Sequence, residues 1–476
     1  MLEKLSFDGV LTGANGQKLD VDCNLSLPVI SGAAASVTVH IPLAATRHVE
    51  LTNPCTLYGR VGSLEVEINE LWYRRLPSGR TMRKLARDVL DINHIGTLKV
   101  RDDRFKSKKA SVVFHLSPVA FFKRHPASAM TLYSSTPNQT VELFQIHATG
   151  LGEIVFLKQW AVHHIEDGIT SAKIHAGFYA HVACQHDDIQ NIDTMVETFR
   201  EVLTVLSILF RQAVSLLGWE KRCSTRTETL WADPLQPNLA PYMPLEPNNF
   251  LAFPDEFEKC AEELVNKHLA TSKRVKKVIR NLSVSIAPHI SGSMRPGFLA
   301  MFGALEQAID LIKLSASEKQ KLGESNAELV AHLQRMRTTI EIESSAFTAK
   351  LLERVDGFIK VVASGSLSFS AKLATLFKEH PALSFFAADL WPIEGSDGRL
   401  GLKEIRNQLT HGVYGKIESQ ALAVAGWHFS IFIERLIFVI VGAEVPKGID
   451  RDSYLLTRDE WYGRDYWTPL QKPALK

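Results

Sequence analysis

Apolar and polar residues alternate in short runs through the first 190 positions. The runs are LDVDCNLSL, ASVTVHIPL, SLEVEINELWY, GTLKV, ASVVFHLS, TVELFQIHA, EIVFLKQWAVHHIE and SAKIHAGFYAHVAC. Period-two alternation sends successive side chains to opposite faces of a strand. Gly, Pro, Asn and Asp separate the runs as turn residues do. This pattern predicts a mostly antiparallel β sandwich or distorted barrel over residues 1–190.

The period then changes. An apolar helix is expected near Thr194 to Trp219, followed by the proline-rich segment WADPLQPNLAPYMPLEPNNF, Trp231 to Phe250, in which proline restricts the backbone and ends regular structure. Residues 191–250 therefore read as a helix and linker, with a domain boundary near 250. From Asp255 onward apolar residues recur at helical spacing in FEKCAEELVNKHL, in Phe298 to Leu314, in AELVAHLQRMRTTIEI, AFTAKLLERVDGFIKVV and LSFSAKLATLFKEH, and in a final pair of helices. The expectation is a helical bundle over 251–445 and an aromatic-rich tail over 446–476, and so a multidomain α+β protein. The most membrane-like stretch, WHFSIFIERLIFVIVGAEV, is interrupted by Glu434 and Arg435 and reads as a core helix rather than a membrane span.

Composition narrows the class. A chain of 476 residues suits two or three domains, and 45% hydrophobic with 22% charged residues describes a folded, soluble protein. The net charge of +2 gives no general attraction to nucleic acid, so any such affinity has to come from local patches. Cys23, Cys55, Cys184, Cys223 and Cys260 lack paired metal-ligand spacing and fit a reducing cytoplasm. MLEKLSFDGVL has no sustained apolar core of a secretory signal. No phosphate-binding loop, nucleophile elbow or dinucleotide glycine pattern appears in the sequence.

The densest chemistry lies in LKEIRNQLTHGVYG, Leu402 to Gly415. Apolar Leu400, Leu402, Ile405 and Leu409 mark a helix packed on one side, and Gly412 follows His411 as a C-terminal break. Arg406, Asn407 and His411 bring a guanidinium, an amide and an imidazole to its end. On an ideal helix, positions five apart point about 140 degrees away from each other. Convergence of Arg406 and His411 on one atom therefore needs a distorted last turn or a second chain.

RNQLTHG resembles the Arg-x4-6-His signature of HEPN ribonucleases, with a polar residue after the Arg and a Gly after the His. The long β region ahead of a helical domain resembles the layout of ApeA-type HEPN proteins of bacterial anti-phage defence. The resemblance implies RNA cleavage without a metal or other cofactor, by attack of the ribose 2′-hydroxyl, in a homodimer or higher homo-oligomer. It also implies a phage-derived protein or nucleic acid as trigger. Arg406 would clamp the scissile phosphate with its rigid fork of donors, His411 would carry a proton, and Asn407 would orient either. An acidic residue on an earlier helix often completes such sites. Glu306 in FLAMFGALEQAIDLIKL fills that position and Asp310, one turn on, is the other candidate, though both acids would equally suit a solvated stripe. A non-catalytic bundle that dimerises or binds nucleotide or RNA is the alternative function.

Lys273, Arg274, Lys276, Lys277 and Arg280 form the clearest basic run and are the candidate RNA-phosphate contacts, with a solvated helix face as the plainer reading. Lys106, Lys108 and Lys109 form a smaller patch. His147, His163, His164, His175, His181 and His186 are spread over several strands without compact ligand spacing, so no metal is expected there. In the tail, Tyr454, Trp461, Tyr462, Tyr466 and Trp467 interleave with Arg451, Arg458 and Arg464 and suit either base stacking or packing on the core.

Overall fold

A computed structural model describes residues 4–27, 34–42, 51–75, 87–104, 106–107, 109–117, 140–165, 171–184, 191–210, 213–232, 254–286, 294–311, 316–342, 348–363, 368–387, 390–396, 399–411, 418–445 and 469–470. The proline-rich segment from 233 onward, Lys108, His186, Gly412 and the aromatic and basic tail residues lie outside them, as do the side chains of His163, His164 and His175. The chain divides into two compact units, Met1–Thr271 and Ser272–Val445.

The first unit is built on one antiparallel sheet. Its strands are β1 (Lys4–Thr12), β2 (Lys18–Ser26), β3 (Ser36–Pro42), β4 (Cys55–Val61), β5 (Leu64–Arg75), β6 (Arg87–Asp102), β7 (Ser111–Leu116), β8 (Thr140–Ala148), β9 (Gly152–Ile165), β10 (Ser171–Ala183), β11 (Leu216–Arg222) and β12 (Thr227–Ala232). Strict alternation decides the faces of β1, where Leu5, Phe7 and Leu11 are buried and Lys4, Ser6 and Asp8 are exposed. The order is β3-β2-β1-β4-β5-β6-β12-β11-β7-β10-β9-β8. Leu90 at the start of β6 also pairs with Val39 of β3, which curls the first six strands around the Leu11, Leu57, Ile68 and Leu98 core. The remaining strands continue from β6 to β8, and the twelve-stranded sheet as a whole is not closed into a barrel.

Helix α1 (Ile192–Leu209) covers the other end of the sheet, with Phe199 stacked on Phe114 of β7 at 3.9 Å between ring centroids. Helix α2 (Pro254–Ala270) packs on β8 and α1 through Phe257, whose ring lies 5.0 Å from that of Phe144. Asn266 of α2 donates to the His147 carbonyl at 2.7 Å and accepts from the Thr149 N–H at 2.8 Å.

Two expectations change. The apolar stretch expected as one helix to Trp219 splits, because α1 stops at Leu209 and Leu216–Arg222 is strand β11. That strand and β12 sit between β6 and β7 in mid-sheet, so the β architecture does not end near residue 190. Period alone could not separate the two, since a short apolar run such as VSLLGW suits a helical turn or a strand equally. The division between units falls at Thr271 and Ser272 rather than near 250, because α2 buries Phe257, Ala261, Leu264 and Val265 within the sheet unit.

The second unit contains α3 (Lys273–Ile286), α4 (Met294–Ile309), α5 (Ala316–Ile342), α6 (Thr348–Ala363), α7 (Phe369–Glu379), α8 (Pro381–Ala387), α9 (Leu402–Thr410) and α10 (Ser419–Val441). Its axis is α10, against which α3, α4, α8 and α9 pack. Phe429 of α10 meets Phe298 and Phe302 of α4 at 5.5 and 5.9 Å. By length and composition α10 is the one helix among the described residues apolar enough to cross a membrane, but 67% of that apolar window is buried inside the protein. Gly442, at φ +74°, ends it: its N–H and that of Ala443 return to the Val439 and Phe438 carbonyls, a backbone turn that favours glycine.

Candidate functional site

The loop before α9 fixes where that helix begins. His428 of α10 is fully buried, and its Nδ1 accepts the Trp391 N–H at 2.9 Å, while the Trp391 indole donates to the Leu400 carbonyl at 2.8 Å. Burial, with Arg435 nearby, pushes the His428 imidazole down to about 4, which keeps it neutral and available as an acceptor. The Leu402 and Lys403 N–H groups reach back to the Pro392 and Ile393 carbonyls, both at 2.9 Å. The Glu404 carboxylate accepts from the N–H groups of Gly401 (3.0 Å) and Gly395 (2.8 Å), satisfying otherwise orphaned donors at the helix start. A Cβ on Gly401 would lie 2.3 Å from the Gly395 nitrogen, so glycine is required for the close approach of the two strands of the loop.

From this start, burial of Leu402, Ile405 and Leu409 determines which way α9 faces. Arg406 lies against α4, with its guanidinium 5.6 Å from the Phe302 ring centroid. One terminal nitrogen donates to Glu306 Oε1 at 3.1 Å and the other to Asn407 Oδ1 at 3.1 Å. The structure thus brings together three of the four expected site residues. The Arg406 and Glu306 side chains are 35% and 42% exposed, so the pair stands at a surface that solvent or a ligand reaches.

His411 is not part of that cluster. It follows the last residue of α9, its N–H returns to the Asn407 carbonyl at 3.0 Å, and its exposed side chain forms no hydrogen bond with Arg406, Asn407 or Glu306. Regular helical geometry through Thr410 keeps the angular separation set by the five-residue spacing.

The end of α4 is a polar junction. Glu306 reaches α9, Gln307 accepts from Asn281 of α3 at 2.7 Å, and Asp310 receives Lys372 of α7 through its carboxylate and Arg274 of α3 through its carbonyl. Asp310 therefore ties α3 and α7 together rather than serving Arg406. On α3, Lys273, Lys276, Lys277 and Arg280 follow i, i+3, i+4, i+7 spacing and form one stripe opposite buried Val278, Ile279 and Leu282. Arg274 leaves the stripe and turns toward Asp310.

Phe302 beneath Arg406 is a site feature that the sequence pattern did not single out, since it reads as one more core aromatic. A second cluster also went unmarked: Lys403 donates to Ser370 at 2.9 Å and to Glu394 at 3.1 Å, and Ser370 bonds Glu394 as well. The Ser370 hydrogen bond, reinforced by Lys403, holds the Glu394 carboxyl below its ordinary range. These residues are 24 and 33 positions apart, so no local motif announces them.

In the sheet unit, Lys106 and Lys109 lie beside β7, and His147 is exposed. Among the described residues no group of three or more His, Cys, Asp or Glu side chains gathers as metal ligands would. Compared with protein-family models, curated proteins and solved structures, the chain matches none.

Proposed function

We propose that the helical unit is a HEPN-like endoribonuclease that cleaves RNA by 2′-hydroxyl attack, working as a homodimer in the cytoplasm as part of anti-phage defence. The observation that carries this reading is Arg406, a guanidinium held on Phe302 by Glu306 and Asn407 at an accessible surface, beside a helix end that presents an exposed imidazole. Such a preset cation suits a phosphate whose charge grows during reaction. The ribose O2′ bonds to phosphorus as the bond from phosphorus to O5′ breaks. This leaves a 2′,3′-cyclic phosphate and a 5′-hydroxyl. His411 takes the 2′ proton or supplies the one that O5′ gains, and water serves at the other oxygen. The basic stripe of α3, on the helix packed beside α4, guides the RNA backbone. The sheet unit senses the phage-derived trigger.

A second reading has an observation in its favour. Glu306 already engages the Arg406 fork and His411 stands apart from it, as suits a bundle that binds nucleotide or RNA, or only dimerises, without cleaving.

The test is the end chemistry of total RNA from cells expressing the wild-type chain, Arg406→Ala or His411→Ala, with and without phage challenge. Challenge-dependent fragments with 2′,3′-cyclic phosphate ends that vanish in both variants are expected. Matched profiles across a broad phage panel, from folded and expressed proteins, favour the binding module.

A further inference from the structure

Helices α5 and α6 form an antiparallel hairpin that, among the described residues, packs chiefly on itself. The less exposed positions follow a heptad pattern, Val330, Leu333, Arg337 and Ile340 on α5 and Leu352, Val355 and Ile359 on α6, which marks the seam between the helices, and Arg337 crosses to Asp356 at 2.8 Å. Five large apolar side chains are exposed outside this seam, and all but Ile342 at the end of α5 fall on one side of it. Leu329, Met336, Leu351 and Phe358 are 46%, 55%, 42% and 63% exposed.

They are not scattered. Leu329 and Met336 are seven residues apart on α5, as are Leu351 and Phe358 on α6. Each pair sits about 70 degrees from its seam in the same rotational sense at 100 degrees per residue. Because the helices run antiparallel, that sense brings both pairs to the same side of the hairpin. Taking the level at which Arg337 meets Asp356 as reference, the order along the axis is Leu351, Met336, Phe358, Leu329, alternating between the helices.

We infer that this face is the self-association surface of the chain, and that its occupant is the same hairpin of a second copy. The choice of a second copy rests in part on the reading above, in which Arg406 and His411 call for a dimer. Two further observations support it. The α5 sequence carries four acids and four bases and α6 two acids and three bases, so two such hairpins meet without strong net repulsion. The lengths also suffice. The 16 residues of α6 define an overlap about 24 Å long, and two helices are about 20 Å wide. The footprint of about 500 Å² per copy buries about 1,000 Å² in all, at the lower bound of specific interfaces. A two-fold axis along the hairpin lays α5 of one copy over α6 of the other. The two apolar rows then interdigitate, completing a four-helix layer.

Sedimentation velocity on the full chain without RNA, from about 1 to about 100 µM, tests this, with a dimer of micromolar affinity expected. Phe358→Glu and Met336→Glu each weaken self-association at least about 30-fold with unchanged circular dichroism. Ile342→Glu, which alters an exposed residue off the stripe, leaves it intact. A wild-type chain that stays monomeric throughout overturns the inference, as does a Phe358→Glu variant that dimerises like wild type. Because no RNA is involved, loss of the ribonuclease reading would not change this result, nor would failure here remove Arg406-dependent cleavage.

Discussion

Glu306, near the end of α4, accepts a hydrogen bond from the guanidinium of Arg406 on α9 at 3.1 Å, joining residues one hundred positions apart. Both side chains are more than a third exposed, so the pair contributes little to stability. Its consequence is orientation: Glu306 and Asn407 together determine where the Arg406 fork points. Glu306→Gln is expected to change the unfolding free energy by less than about 1 kcal/mol. Cleavage should fall at least about tenfold, because the fork loses its charged anchor. Urea denaturation and quantification of cyclic-phosphate RNA ends check the two halves.

The clasp before α9 should be more sensitive than the site it positions. In Gly401→Ala the new Cβ meets loop backbone at 2.3 and 2.5 Å, atoms that cannot rotate away. A loss of about 2 kcal/mol or more is expected. Trp391→Phe keeps most of the ring but leaves the Leu400 carbonyl without the indole donor, a loss of about 1–3 kcal/mol. Equilibrium denaturation of each variant measures both.

Acid should loosen the sheet unit through His115. This β7 side chain has no hydrogen-bond partner at either ring nitrogen and lies between Tyr179 and Trp231. Burial pushes its imidazole down to about 4, against an ordinary value of 6.5. The unfolded chain therefore binds the proton more readily, and stability present above pH 6.5 is lost as pH falls toward 4. At pH 4 the loss reaches roughly 3 kcal/mol. Hydrogen exchange of the β7 and β10 amides between pH 7 and 4 should show the decline, and His115→Phe should flatten it.

The basic stripe of α3 is expected to act through charge. Replacing Lys273, Lys277 and Arg280 together with Ala should weaken RNA binding and reduce the slope of log affinity against log salt by about 2 to 3, with little effect on folding because all three are exposed. Fluorescence anisotropy over a salt series measures it. An unchanged slope would remove α3 from the RNA path.

Cysteine reactivity separates β2 from the turn between β11 and β12. Burial, with Asp22 and Asp8 adding to it, pushes the Cys23 thiol up to about 12. At Cys223 burial also pushes upward, but hydrogen bonds to Thr225 and Arg226 and the nearby Lys221 outweigh it and bring the thiol below its ordinary value. Mass spectrometry after brief iodoacetamide treatment should find Cys223 modified first and Cys23 only after unfolding.

The sequence by itself determined the periods. Alternation over residues such as Leu19, Val21, Cys23 and Leu25 was enough to specify strands with one buried face, and helical spacing at Leu402, Ile405 and Leu409 specified which side of α9 turns inward. The resemblance of RNQLTHG to the HEPN signature brought Arg406, Asn407 and His411 forward together, with Glu306 as the acid expected on an earlier helix, and of these His411 alone stands outside the cluster. Only the tertiary structure decided what local periodicity does not encode. The insertion of β11 and β12 into mid-sheet depends on pairings such as Trp231 with Leu98, formed across more than a hundred residues. The seating of Arg406 on Phe302, the clasp from His428 through Trp391 to Leu400, and the exposure of Phe358 depend on which helices become neighbours. Long-range packing selects those neighbours, whereas the pattern along the chain specifies only the face each element offers.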